Sequence, residues 1–281
     1  MVTMERVWQS YRVAMRKYFS FFKLRLLMGL QYRTAALAGV VTQFFWGFME
    51  IMVFCAFYET DAQAFPMSFA ATASYIWLQQ AFLSFFMVWF MENEILDAIV
   101  NGNVAYELCR PVDIYWMWFS RSMANRTARA LLRCFPVLVV AYLLPRPFGI
   151  LVPEEPFVFF SFFVTLLLGF LVTVAFCMVI YMLAFFTVSA QGLRILCVSA
   201  VEFLSGAVVP IPFFPEKIAR MMALLPFGSM QNVPLLVYGG SLEGEALLRA
   251  VLLQLFWLAF FVAAGRLLWR RARRRIIVQG G

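Results

Sequence analysis

The chain is 281 residues long, 64% hydrophobic and 14% charged, with a net charge of +8 and a mean hydropathy of +0.83. A soluble domain carries roughly 45–50% apolar and about 25% charged residues, and one of this size still shows much of its surface to water. This composition therefore excludes a soluble globular protein and makes lipid the solvent for most of the chain. Histidine is absent, which excludes His-based catalysis, His-ligated metals and His proton relays. Cys55, Cys109, Cys134, Cys177 and Cys197 are scattered without a CxxC pair and read as inert thiols.

In chain order, Met4, Trp8, Tyr11, Met15, Tyr18 and Phe22 recur at steps of four and three. Glu5, Gln9, Arg12, Arg16, Ser20 and Lys23 lie between them. The pattern predicts an amphipathic helix over residues 4–25, lying in the interface with its cations toward phosphates. It serves either as a lever to a cytoplasmic partner or as a plain anchor. About 30 residues precede the first long apolar run, so that run is expected to insert and stay rather than be cleaved.

A membrane-crossing helix needs about 20 mostly apolar residues. Six segments meet that need, at about 35–58, 70–91, 115–144, 157–187, 193–211 and 247–269. The third begins with Arg121, Arg126, Arg129 and Arg133. Its first half is expected to continue the helix below the membrane, with the span itself running from Leu131 to Leu144. Glu50 and Glu202 fall inside the first and fifth segments. An intramembrane carboxylate is costly and turns from lipid, so each either lines a path, carries a proton, or bonds Thr42, Gln79, Gln80 or Ser199.

After the second segment, Glu92 and Glu94 favour a helix start. Ile95, Leu96 and Ile99 form an apolar face, and Gly102 is a natural stop. This predicts a short helix at 92–101 whose apolar face needs a partner to cover it. The intervening loops at 59–69 and 145–156 are too short to hold a domain. Before the last segment, Pro210, Pro212, Pro215 and Pro226 interrupt apolar stretches too short to span. Residues 212–240 are expected to be re-entrant or interfacial, at the outer mouth of what the helices enclose.

With both termini in the cytoplasm, nineteen of the 23 basic residues fall on the inside, as the positive-inside bias requires. The basic run from Arg266 to Arg275 reads as an anchor on anionic lipid, and the charge needs no nucleic acid to explain it. The only lysines are Lys17, Lys23 and Lys217, and none stands in a phosphate-loop pattern. Nor is there a visible repeat of the kind that builds inverted halves in secondary transporters. The residues thus describe an all-α polytopic membrane protein, a single transmembrane domain over residues 1–281.

The run from Phe203 to Pro215, followed by Leu225, Pro226 and Phe227, resembles the late motif of bacterial ABC exporter permeases of the type-two class, closest to its small six-span subfamily. Asn101 to Asn103 and Leu108 to Pro111 resemble that subfamily's loop after the second span, and residues 275–281 its basic Gln-Gly-Gly ending. Cys109 departs from the commoner leucine-type residue. The resemblance implies a type-two ABC exporter transmembrane domain in the bacterial inner membrane, paired with a second permease subunit, alike or different. It also implies two cytoplasmic ATPase subunits, which carry ATP and Mg, while this chain binds no cofactor or metal and is not itself an enzyme. The interfacial helix, with Arg12 and Arg16, and the 92–101 helix, with Glu92, Glu94, Ile95, Leu96 and Ile99, would contact the ATPase. The proline-punctuated helices would form an outer lid. A hydrophobic or amphipathic substrate would move outward, with Glu50 and Glu202, from their intramembrane charge, as candidates for its path. A proton-coupled secondary transporter and an accessory ATPase-binding subunit are the alternatives.

Overall fold

The computed structural model describes residues 2–61, 63 and 65–274, with side chains from Arg16 onward. Among these residues all regular structure is helical. Arg12 and the terminal residues 275–281 lie outside the described side chains.

The first helix, α1 (Val2–Leu30), exceeds the expected 4–25 at both ends. It lies along α7 (Ile114–Leu143), and this contact turns part of the aromatic stripe away from lipid. The Tyr18 hydroxyl accepts the Asp113 N–H at 3.1 Å, and Phe21 packs on the core beside it. Phe19 remains 69% exposed.

A short break at Gln31 and Tyr32 leads into α2 (Arg33–Thr60). Its buried residues Val40, Gln43, Gly47, Ile51 and Phe54 follow the helical period. Leu37, Val41, Phe45, Phe48 and Met52 are equally apolar but exposed. A helix apolar all round suits lipid on one side and protein on the other.

The second expected segment is broken. It comprises α3 (Phe69–Ala81), α4 (Leu83–Phe86) and a 3-10 turn at Val88–Phe90. Two deviations stop it running straight: Phe82 at φ −105°, ψ 19° and the extended Met87. Backbone groups freed by such a break must find partners in the protein when water is excluded. Here Arg126 of α7 supplies them. Its guanidinium, 0% exposed, donates to the Ser84 and Met87 carbonyls at 2.9 and 2.7 Å and to the Cys177 sulfur at 3.2 Å. The Ser84 hydroxyl returns a bond to the Arg126 carbonyl at 3.1 Å.

Two short helices, α5 (Asn93–Val100) and α6 (Val104–Leu108), precede α7. Gly102 between them has φ 71°, a left-handed turn that favours glycine. The remaining long helices are α8 (Pro156–Ala184), α9 (Ala190–Leu204) and α13 (Gly244–Ala272). Each of the six expected segments contains helix. Among the described residues, however, only α2, α8 and α13 are long and apolar enough by themselves to cross a bilayer. With its 64% hydrophobic composition, the chain is a multi-pass membrane protein.

Helix α8 is the central post, packed against α13 and against the segment preceding it. Gly169 permits that closeness, because a side chain there would collide with the Met230 carbonyl. Gln254 of α13 donates to the Thr165 and Ser229 carbonyls at 3.0 and 2.9 Å, joining the three pieces.

The proline-punctuated segment folds as a 3-10 turn (Ile211–Phe213), α10 (Glu216–Leu224), α11 (Pro226–Met230) and α12 (Asn232–Tyr238). Pro210, Pro215 and Pro226 stand at the starts of these pieces and Pro212 inside the first turn, where a missing N–H costs least. Every residue of α12 is buried. In contrast, α10 exposes Ile218, Met221 and Leu224 beside an exposed Arg220–Glu216 ion pair.

Candidate functional site

Two regions carry the chemistry: a cavity along α2, and a clamp around α5 at the end where α1, α7 and α13 bring their cations.

The cavity, of about 850 Å³, lies between α2, the broken α3–α4 segment, the end of α9 and the turn that follows it. Glu50 and Glu202, some 150 positions apart in sequence, both line it. Trp46, Phe57, Trp89 and Phe213 make its wall apolar and aromatic, and Arg133 enters at one edge. Gly39 leaves the room that the Arg133 guanidinium fills, and that guanidinium sits 5.9 Å from the centre of the Phe90 ring.

The bonding partners expected for the two carboxyls are mostly spent elsewhere. The Thr42 hydroxyl donates to the Ala38 carbonyl at 3.0 Å, and the Gln79 amide donates to the Ala207 carbonyl at 2.8 Å. Ser199 is exposed. Gln80 alone reaches Glu50. Three oxygens remain buried and unpartnered on this wall: Gln43 Oε1, Glu50 Oε1 and Gln79 Oε1. Among the described residues neither Glu50 nor Glu202 forms an ion pair.

The rim of the cavity is rigidly held. Tyr75 donates to the Gly206 carbonyl at 3.2 Å and lies 3.2 Å from Asn232 Oδ1. The turn after α9 is thereby tied to α3 and α12. Gly206 itself has φ 82°, a conformation few other residues adopt.

At the other region, α5 is fastened to three long helices. Glu94 pairs with Arg121 of α7. Asn93 Oδ1 accepts from Arg194 of α9 at 2.6 Å, and a second Arg194 nitrogen reaches the Trp89 carbonyl at 3.0 Å. The Glu92 N–H donates to the Tyr181 hydroxyl of α8. Beside it, Asp113 caps α7 through the Trp116 N–H at 3.3 Å and pairs with Arg266 of α13 at 2.7 Å. Trp118 of α7 donates to Glu107 of α6.

A second pocket of about 460 Å³ opens here, holding Arg25, Arg121, Arg129 and Arg133 against Glu92 and Glu94. Burial and the neighbouring Arg121 draw the Arg25 guanidinium below its ordinary value.

One expectation is corrected by this geometry. The apolar face of α5 is covered by the chain itself: Ile95 and Leu96 are 1% and 5% exposed, within the core formed with α7 and α8, and Ile99 is half-buried against it. The surface α5 does expose carries Asp97 and Val100, 66% exposed, continued by Tyr106 at 78%. Glu92 is buried, Glu94 is exposed but paired, and Arg16 is exposed.

Sequence reading also missed the structural part played by Arg126, Arg121 and Arg194, which it counted only as topological charge. The available signal was that four arginines within thirteen residues, at 121 to 133, sit too deep in a long helix to reach water on every side.

Residues 44–280 match the model of the ABC-2 family transporter proteins. The chain belongs to that family. It is an ABC-2 type permease, and its broken second segment, clamped α5 and proline-punctuated segment all lie within the matched residues. Among curated proteins none matches the permease.

Proposed function

We propose that this permease is the membrane subunit of an ATP-driven exporter, moving a hydrophobic or amphipathic substrate outward while separate cytoplasmic subunits hydrolyse ATP. In this reading the six segments span the bacterial inner membrane with both termini in the cytoplasm. Two permease subunits and two ATPase subunits form the working complex, and ATP and Mg reside on the ATPases.

One observation carries the reading. α5 is held from within by bonds to α7, α8 and α9, while its outer face remains bare at Asp97 and Val100. A helix built this way transmits force. An ATPase that seats on its outer face and closes on ATP displaces α5, and the three clamps pass that displacement to three long helices as rigid bodies. Two of them border the cavity: α7 through Arg133 and α9 through Glu202. Docking at α5 therefore biases the shape of the cavity, which is the physical content of coupling. Arg16 on α1 adds a second contact. The segment from Pro210 to Tyr238 acts as an outer lid, with Pro210, Pro215 and Pro226 at the starts of its short pieces and Pro212 within the first.

The test is co-purification with a co-expressed phosphate-loop ABC ATPase. Val100→Asp and Tyr106→Asp are expected to reduce the recovered ATPase to about a tenth or less, by placing charge in a packed contact. Full recovery with both variants overturns the docking assignment. A proton-coupled transporter, by contrast, predicts uptake driven by a pH gradient without any ATPase and lost in Glu202→Gln. An accessory subunit predicts normal docking with no transport.

A further inference from the structure

The cavity wall specifies a ligand more narrowly than "amphipathic". Its surface is mostly aromatic and aliphatic, and of the four buried, unpartnered polar atoms on its described lining residues three are acceptors, the fourth being the Arg133 Nε donor. Gln43 Oε1, Gln79 Oε1 and Glu50 Oε1 are hydrogen-bond acceptors, all buried and all without a donor. Gln43 and Gln79 are 3% and 4% exposed. The orientation of the Gln79 amide is fixed, because its nitrogen is already engaged with the Ala207 carbonyl at 2.8 Å. Leaving buried acceptors unpaired costs roughly 1–3 kcal/mol each, and native proteins rarely gather three on one wall. Two carboxyl groups, Glu50 and Glu202, share the cavity with one guanidinium, Arg133. The guanidinium lies at the edge shared with the second pocket, against Phe90. A ligand that satisfies this wall brings hydrogen-bond donors and positive charge on an apolar body.

Resting on the exporter reading, we propose that the α2 cavity binds hydrophobic ammonium compounds: an apolar or aromatic body carrying a primary or secondary amine. An ammonium head has several N–H donors and no acceptor. It can donate to the Glu50 carboxyl, in a charge-assisted bond, or to a glutamine oxygen of the same wall. The aromatic wall at Trp46, Trp89 and Phe57 receives the body and offers ring faces to the cation. A volume of about 850 Å³ is ample for a drug-sized molecule, the usual range being roughly 300–1,000 Å³. Among the described lining residues Arg133 is the one basic side chain, against the two carboxyls of Glu50 and Glu202.

The test compares three probes with one body and three heads: 4-phenylbutylamine, its trimethylammonium analogue and 4-phenylbutyrate. Equilibrium binding is measured on the full chain in nanodiscs. The amine is expected to bind at least about tenfold tighter than the trimethylammonium compound, which has the charge without the donors. It should bind tighter still than the carboxylate. Glu50→Gln and Gln43→Leu are expected to weaken amine binding about tenfold while leaving the carboxylate unchanged. Equal affinity for the three heads, or preference for the carboxylate, overturns the proposal without recourse to any variant. Amine binding unchanged in both variants overturns it as well. Binding needs no ATPase in this assay, so failure here leaves the exporter reading standing, and failure of ATPase docking leaves this site intact.

Discussion

At Arg126 a fully buried guanidinium donates to two backbone carbonyls and a cysteine sulfur, holding open the break between α4 and the turn at Val88–Phe90. Arg126→Leu removes the donors and strands the carbonyls, and Arg126→Lys cannot reproduce the planar fork. Both are expected to destabilise the permease, the Leu variant by about 3–5 kcal/mol, read as a fall in Tm in detergent. A Tm within 1–2 °C of wild type in both variants would show that the break needs no cap; a loss of about 1 kcal/mol already moves Tm by ~2–4 °C at this size. Asp113 also joins elements distant in sequence. Asp113→Ala is expected to cost about 1–2 kcal/mol, since its pair with Arg266 is partly exposed while its cap on α7 is also lost. Adding Arg266→Ala should then cost little more. At this scale the sequence pointed to Glu50 and Glu202 through the expense of intramembrane charge. It did not point to Arg126, because a buried arginine and a topological one look alike until the carbonyls around them are known.

Helix boundaries were legible where apolarity and capping agree. α2, α8 and α13 fall within a few residues of their expected ends, and Asp113 and Ser189 accept from the N–H groups of Trp116 and Gly192, starting α7 and α9. The break in the second segment was hidden, since residues 70–91 contain no proline, glycine or charge and nothing local marks Phe82. Hydrophobic periodicity located the apolar stripe of α5 but not what covers it, and the core formed with α7 and α8 does so. The two faces therefore separate in a mutational comparison. Leu96→Asp buries a charge among apolar side chains and is expected to lower Tm sharply, by ~3 kcal/mol or more of stability. Val100→Asp is expected to leave Tm unchanged and remove the ATPase. If Leu96→Asp folds with wild-type Tm, the inward placement of that face is wrong.

On the scale of the whole molecule, the long α7, about 45 Å at 1.5 Å per residue, runs from the α5 clamp past the cavity edge at Arg133. Composition alone established the membrane setting, and the bias of basic residues supplied an orientation. The enclosure of one cavity by α2, α4 and α9 joins residues from Gly39 to Phe213, which no local pattern encodes. The central claim is that α5 receives the ATPase on its outer face and transmits through its inner one. Site-directed cross-linking tests it most directly. In a background with the native cysteines replaced, single cysteines are placed at Val100 and at Leu96, and the permease is assembled with the ATPase it co-purifies with. A cysteine at Val100 is expected to cross-link to the ATPase in high yield, and to lose that yield when ATP drives the complex through its cycle. A cysteine at Leu96 is expected to give none. Cross-linking from Leu96 with none from Val100 would contradict the account.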